Sequence, residues 1–270
     1  MKGGSLMAKD LNNKVVLITG GSAGLGEMIA YEAAKKGAIV IVCARRINLI
    51  GSVKETCSEL SGKAAYAFQL DMANPENIEE VYQKITDEVG VVDVLVNCAG
   101  FGLFRHFNDF DMAVVEQMFR VNVLGLMYLT QKVALGMATK KEGHIVNIAS
   151  QAGKMATVKS SVYSATKFAV LGFSNSLRLE LKPLGVKVTT VNPGPIRTDF
   201  FDQADETGEY LQAVDRFILE PQPLAHRIVN VFGSNVRELN APFVMELASK
   251  AYFLFPRLGD YFAGSLLNNK

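Results

Sequence analysis

The chain has 270 residues, 20% of them charged and 49% hydrophobic, with a formal net charge of +1. That length suits one large α/β domain with a sizeable core, and the interspersed charges offer no basic tail or stripe for nucleic acid. Cys43, Cys57 and Cys98 are too few and too scattered for a disulfide framework or a zinc site, and they suit a reducing, cytoplasmic location.

His106, His144 and His226 lack metal-ligand spacing, so no metal site is expected and they are read as surface or loop histidines. Residues 1–11 are read as a flexible leader, with no apolar run for a signal peptide in the first ten. The longest uncharged stretches, such as 94–104 and 121–131, are 11 residues, too short to cross a bilayer.

Along the chain, residues 14–19 form a short β-branched apolar run ending in glycines, which reads as a buried strand. Residues 24–36 have helical periodicity and stop at Gly37. A strand at 38–43, a helix at 47–60 and a strand at 64–70 follow. Asn74 and Pro75 then open a helix that runs to about 89, since Asn caps and Pro suits the first turn. The pattern continues with a strand at 92–96, one long helical region at 111–139 and a strand at 145–149. A helix at 160–182 and a strand at 186–191 complete it. Strands and helices alternating at this pitch imply βαβ units, hence an α/β fold with a parallel sheet and helices on both faces, in one domain over 12–240. After Pro193 the regularity breaks. Residues 194–218 read as loop-rich, 222–233 as a helix, and 240–245 as holding a short last strand.

Gly20, Gly24 and Gly26 lie between the first strand and the first helix. The glycines let the backbone approach a pyrophosphate, and the helix N-terminus supplies N–H groups and a positive dipole end. Their spacing, G-x-x-x-G-x-G, differs from the common G-x-G-x-x-G. NAD sites place an acid roughly 20 residues past the glycines. Here Arg45 and Arg46 stand in that region, and guanidinium suits a 2′-phosphate, so NADP(H) is the expected cofactor, held mainly by Arg45.

Tyr163 and Lys167 are four residues apart on one helical face. An ammonium beside a phenol favours the phenolate and moves it towards general acid–base use.

The glycine turn, Asn97-Cys98-Ala99-Gly100, Asn122, Ser150, Tyr163-x-x-x-Lys167 and Asn192-Pro193-Gly194 stand in one order over residues 12–200. In this the chain resembles the short-chain dehydrogenase/reductase family. The resemblance implies a Rossmann-type, doubly wound parallel sheet and hydride transfer between NADP(H) and a carbonyl or alcohol. It implies Tyr163 as general acid in reduction and base in oxidation. Lys167 would then lower the phenol pKa and hold the nicotinamide ribose, Ser150 would bind the substrate oxygen, and Asn122 would support a proton relay. By the same resemblance Ser22 and Leu25 would help hold ribose and phosphates, Asp71 would lie near the adenine, and Asn97, Ala99 and Gly100 near the adenosine ribose. Pro193, Ile196 and Thr198 would border the carboxamide. A homodimer or homotetramer is also implied. Cys98 stands where the family often has a second asparagine and is read as a packed thiol, not a nucleophile. The family's glycine-rich C-terminal ending is absent.

Phe101, Leu103, Phe104, Phe200, Phe201, Tyr210, Leu211, Phe217 and Ile218 suggest a fairly apolar substrate under a lid at 194–218, or side chains that only pack that lid. Two narrower or competing readings are 3-oxoacyl-thioester reduction and a non-catalytic NADP(H) sensor on the same fold. The aromatic-rich tail, 241–270, is expected to be covered by its own domain or a second subunit, with membrane-surface contact the lesser reading.

Overall fold

A computed structural model describes residues 10–205, 208 and 217–266, the last five of these by their backbone alone. Seven strands form one sheet: β1 (Val15–Thr19), β2 (Ile39–Ala44), β3 (Tyr66–Gln69), β4 (Val94–Asn97), β5 (Gly143–Ile148), β6 (Val186–Pro193) and β7 (Glu238–Ala241). Their order is β3-β2-β1-β4-β5-β6-β7, and every neighbouring pair is parallel. The helices are α1 (Gly24–Ala34), α2 (Ile47–Ser61), α3 (Pro75–Glu88), α4 (Met112–Phe119), α5 (Leu126–Lys140), α6 (Ser161–Leu181), α7 (Phe200–Ala204), α8 (Pro221–Asn230), α9 (Phe243–Leu254) and α10 (Pro256–Leu266).

The near-continuous apolar strands follow from burial on both faces. In β1, Val16 and Ile18 join a core with Ile29 and Ala33 of α1, Ile50 and Val53 of α2, and Leu224 and Ile228 of α8. Val15 and Leu17 join the opposite core with Ile78 and Ile85 of α3, Leu129 and Val133 of α5, and Leu181 of α6. The start of α3 is fixed as the sequence suggests: the Asn74 side chain accepts from the Asn77 N–H at 2.9 Å, with Pro75 in the first turn.

Four expectations change. Leu11 belongs to the body, not the leader: it is buried, sits in the first core and donates its N–H to the Lys36 carbonyl at 3.1 Å. Residues 1–9 lie outside the described residues. His144 is buried in β5, not at the surface. Its Nδ1 accepts from the Gly233 N–H at 2.9 Å, so Nε2 carries the hydrogen and faces Thr189 Oγ1 at 2.9 Å, a satisfied neutral imidazole. The long helix at 111–139 is interrupted by a π-helical segment, Arg120–Gly125, between α4 and α5. By length and composition alone the stretch Met112–Lys140 could cross a membrane, which the short uncharged runs did not suggest. Here Met118, Leu126, Leu129, Val133 and Met137 on it are buried within the protein.

The last strand is β7, Glu238–Ala241, and the tail beyond it is a helical hairpin, α9–α10. The inner side of the hairpin meets the body. On its other side Phe243, Leu247, Phe253 and Leu254 are all at least 60% exposed, so the body does not cover them.

Candidate active site

From β1 the chain runs outward to β2 and β3, then returns across β1 to β4. Loops leaving β1 and β4 therefore diverge and open a crevice at the carboxyl ends of the strands. Glycine is required where these loops meet. Gly20 has φ +68°, and a Cβ on it would sit 2.8 Å from Ala99 N and Cα. A Cβ on Gly26 would lie 2.4 Å from the Gly20 carbonyl oxygen, so α1 starts flush against the loop. Thr19 Oγ1 accepts the N–H groups of Cys98 and Ala99, both at 3.1 Å, and ties the two loops together. The first turn of α1 has no side-chain cap, which leaves its N–H groups for an anion.

The adjacent end of β2 carries cations and no acid. Arg46 Nη2 donates to Ser22 Oγ at 2.9 Å, which places one guanidinium over the glycine loop, and Arg45 lines the same crevice beside Asp71. Glycines that bring backbone close, open helix N–H groups and two guanidinium groups fit a dinucleotide bearing an extra phosphate.

Deeper in the same cavity, about 850 Å³ in volume, stand Ser150, Tyr163 and Lys167. Tyr163 and Lys167 share one face of α6. Lys167 is buried, donates from Nζ to the Ile148 carbonyl at 2.9 Å, and lies 5.6 Å from the Tyr163 ring centroid. Burial pulls its pKa down to about 8 from 10.5. The group still carries its charge at neutral pH, but it sits within reach of losing it. Ser150 Oγ accepts from the Ala152 N–H at 3.0 Å. It donates to the Pro193 carbonyl over 3.5 Å, a long, weak bond for which a ligand oxygen could compete.

Asn122 lies in the π segment, beside the cavity. Its Oδ1 accepts from the Phe101 N–H at 3.0 Å. Its Nδ2 donates to the Phe101 carbonyl at 2.8 Å and to Thr166 Oγ1 at 3.2 Å. The side chain thereby clamps the stretch after β4 to the helix that carries Tyr163 and Lys167. A helix-period reading of 111–139 shows no trace of the π segment that puts Asn122 there.

Gly20, Ser22, Gly24, Leu25, Gly26, Arg45, Arg46, Asp71, Ala99, Gly100, Pro193, Ile196 and Thr198 all line the cavity. Asn97, expected near the adenosine ribose, does not. It is in register with Asn147 on the neighbouring strand, and its side chain turns under the floor, where Nδ2 donates to Asn147 Oδ1 at 2.8 Å and Thr130 Oγ1 at 2.9 Å. Cys98, read only as packing, does line the cavity. Burial pushes its thiol up to about 11, which keeps it protonated and poorly nucleophilic at neutral pH.

The far half of the cavity is apolar. Phe104 meets the Tyr163 ring edge-on at 5.7 Å, Phe200 is tilted against it at 5.8 Å, and Phe201 stacks on Phe104 at 6.0 Å. Phe101 and Phe217 also line it, whereas Leu103 and Ile218 do not. Tyr210 and Leu211 lie outside the described residues. The inner face of α9 closes this half with Val244, Met245, Ala248 and Ala251, a wall that no motif in the sequence announces.

A family model described as short chain dehydrogenase matches residues 14–209. Among relatives, glycine betaine reductase ATRR of Emericella nidulans is 34% identical over 222 residues, which are 81% of this chain but only 17% of that protein. The 3-ketodihydrosphingosine reductase of Bos taurus is 30% identical over 221 residues, 79% of this chain and 67% of that one. The solved structure of L-sorbose reductase from Gluconobacter frateurii, complexed with NADPH and L-sorbose, is similar with a TM-score of 0.79 at 26% identity. The match covers 87% of this chain and 97% of that one.

Proposed function

The chain belongs to the short-chain dehydrogenase family, and from that premise we propose that it transfers a hydride between NADP(H) and a fairly apolar carbonyl or alcohol, with Tyr163 as general acid–base. One observation carries the reading: Ser150, Tyr163 and Lys167 line the same cavity as the glycine cradle and its two arginines. NADPH-bound relatives and relatives named as reductases support the cofactor and the reaction class.

The cofactor, when bound, supplies or takes the hydride at its nicotinamide. The residues around it have separable tasks. The glycine loop and the start of α1 would hold the pyrophosphate, and Arg45 and Arg46 would hold the 2′-phosphate. Ser150 donates its hydroxyl hydrogen to the substrate oxygen and fixes that oxygen beside Tyr163. In reduction Tyr163 gives its proton to this oxygen as the carbonyl carbon gains hydride; in oxidation it takes the proton back. The Lys167 ammonium stabilises the phenolate that remains. Asn122 positions Phe101 and Thr166 around that pair, next to the route by which the proton is replaced.

The proposal takes the chain as a homodimer or homotetramer. Leu135 of α5 and Leu179 of α6, each 72% exposed, are apolar surface such an assembly would cover, and light scattering on an eluted peak distinguishes it from a monomer. The activity is tested by NADPH oxidation over aldehydes, ketones and 3-oxoacyl thioesters. Turnover abolished in Tyr163→Phe supports it. NADPH binding without turnover of any carbonyl would favour a sensor and end the enzymatic reading.

A further inference from the structure

One cavity of about 850 Å³ runs from the glycine loop past Tyr163 to α9–α10, and its charges are unevenly placed. Among the described residues, the charged side chains lining it are Arg45, Arg46 and Asp71 at the β2–β3 end, Lys167 beneath Tyr163, and Asp199 at the start of the lid. Among the described residues the far half holds no cation, so none of them would pair with the charge of a carboxylate or phosphate. Its walls are Met155 and Ala156 after β5, Phe201 and Phe217 of the lid, and the hairpin α9–α10.

The hairpin is built onto the reacting end of the protein. Met245 of α9 packs so closely on the segment after β6 that a Cβ on Gly194 would sit 2.6 Å from its sulfur. Met245, Ala248 and Tyr252 recur at helical spacing along one stripe of α9, Phe255 follows just past its end, and all four line the cavity. Ala248 and Ala251 are small where the stripe faces the space, which keeps it open. Tyr252 Oη donates to Asp260 Oδ1 at 2.7 Å and its ring lies on Gly259, which locks α9 to α10. At the open end Val244, Phe255 and Leu258 line the cavity and are also 51%, 63% and 55% exposed. The groove therefore starts at Tyr163 and leaves the protein between apolar side chains.

We propose that this groove holds the hydrocarbon tail of a long-chain ketone or alcohol, with α9–α10 as its outer wall and the reacting oxygen at Ser150 and Tyr163. The proposal rests on the catalytic reading above and narrows its substrate to lipid-like molecules. Continuity of the groove with the reacting end selects the tail of the substrate itself as occupant, because any other occupant would block the path to Tyr163.

The test is a homologous series of 2-alkanones, reduced with NADPH below their aggregation limits, with cyclic ketones of equal carbon number as a second arm. Expected is a rise in kcat/KM of roughly two- to fourfold per added methylene until the groove is filled, then a plateau. Cyclic ketones should fall below the linear ones. Ala248→Phe and, as a smaller increment, Ala251→Leu should bring the plateau to shorter chains. Short ketones reduced with no gain from chain length would overturn the groove while leaving the catalytic reading intact. A plateau unmoved in both folded variants would overturn the hairpin as its wall. No turnover of any carbonyl would instead remove the catalytic reading, and the groove with it.

Discussion

The two ends of the cavity are built in opposite ways. At the cofactor end, backbone meets backbone: Gly20 against Ala99, Gly26 against the Gly20 carbonyl, and Thr19 bonded to two successive N–H groups. At the substrate end, side chains from segments far apart in sequence meet across apolar contacts: Phe104, Phe200 and Phe201 around Tyr163, with α9 opposite. The first construction tolerates almost no substitution, because a single added carbon collides with main chain. The second tolerates exchange of one apolar group for another and can be retuned to a new ligand. A fixed cofactor grip beside an adaptable substrate wall lets one fold serve many substrates.

Tyr163→Phe acts where the two ends join and has the largest expected effect. It removes the hydroxyl and keeps the ring that Phe104 and Phe200 contact, so turnover should fall by about 10²–10⁴-fold with NADPH affinity essentially unchanged. Stopped-flow single turnovers and a fluorescence titration of NADPH measure the two quantities. Unchanged turnover would remove Tyr163 from its role.

Next comes the cofactor end alone. Replacing both Arg45 and Arg46 with Ser removes the charge-assisted partners of a 2′-phosphate. NADPH affinity should weaken by roughly 10- to 100-fold while NADH affinity barely moves. Because Arg46 is the guanidinium bonded to Ser22, the single Arg46→Ser change tests whether the weight given to Arg45 in the sequence is misplaced. A wild-type enzyme that prefers NADH would refute the phosphate assignment outright.

Lys167 is expected to set the pH limit. Its pKa of about 8 lies well below the ordinary 10.5 because burial disfavours the charged form. Below that value the ammonium is present and stabilises the phenolate. As pH rises through it the charge is lost, and kcat/KM for reduction should fall by up to about tenfold per pH unit. A break near the ordinary lysine value would mean that bound cofactor and substrate restore the proton to Lys167.

The same contrast explains what the sequence discloses. The order of strands and helices, the glycine cradle, Tyr163, Lys167 and the two arginines are legible because they depend on local spacing: short continuous apolar strands buried on both faces, glycines at a turn, two side chains one helical turn apart. That the Asn97 side chain turns away from the cavity was not legible, because which side of a strand end a residue faces depends on its neighbour, here Asn147 in register beside it. His144 was misplaced for a related reason: its two partners, Thr189 and Gly233, come from strand β6 and the turn after α8, far along the chain. The hairpin wall left no local sign beyond an excess of aromatics, because an inner stripe and an exposed outer face are interleaved on the same two helices.

The mildest expected effect tests whether the substrate end can be disturbed alone. Gly102 lies against both the Tyr163 ring and α7: a Cβ there would lie 2.8 Å from Tyr163 Cδ2 and 3.0 Å from Phe200 Cζ. Tyr163 sits on the 21-residue α6, whereas Phe200 stands on the five-residue α7, so α7 should yield first. Gly102→Ala should then cost about 1 kcal/mol, a several-fold loss in kcat/KM felt mainly through KM, with NADPH affinity unaltered. Should NADPH binding weaken in step with KM, strain would be passing from α7 to the glycine cradle, and the two ends would not be the separate constructions that their contacts describe.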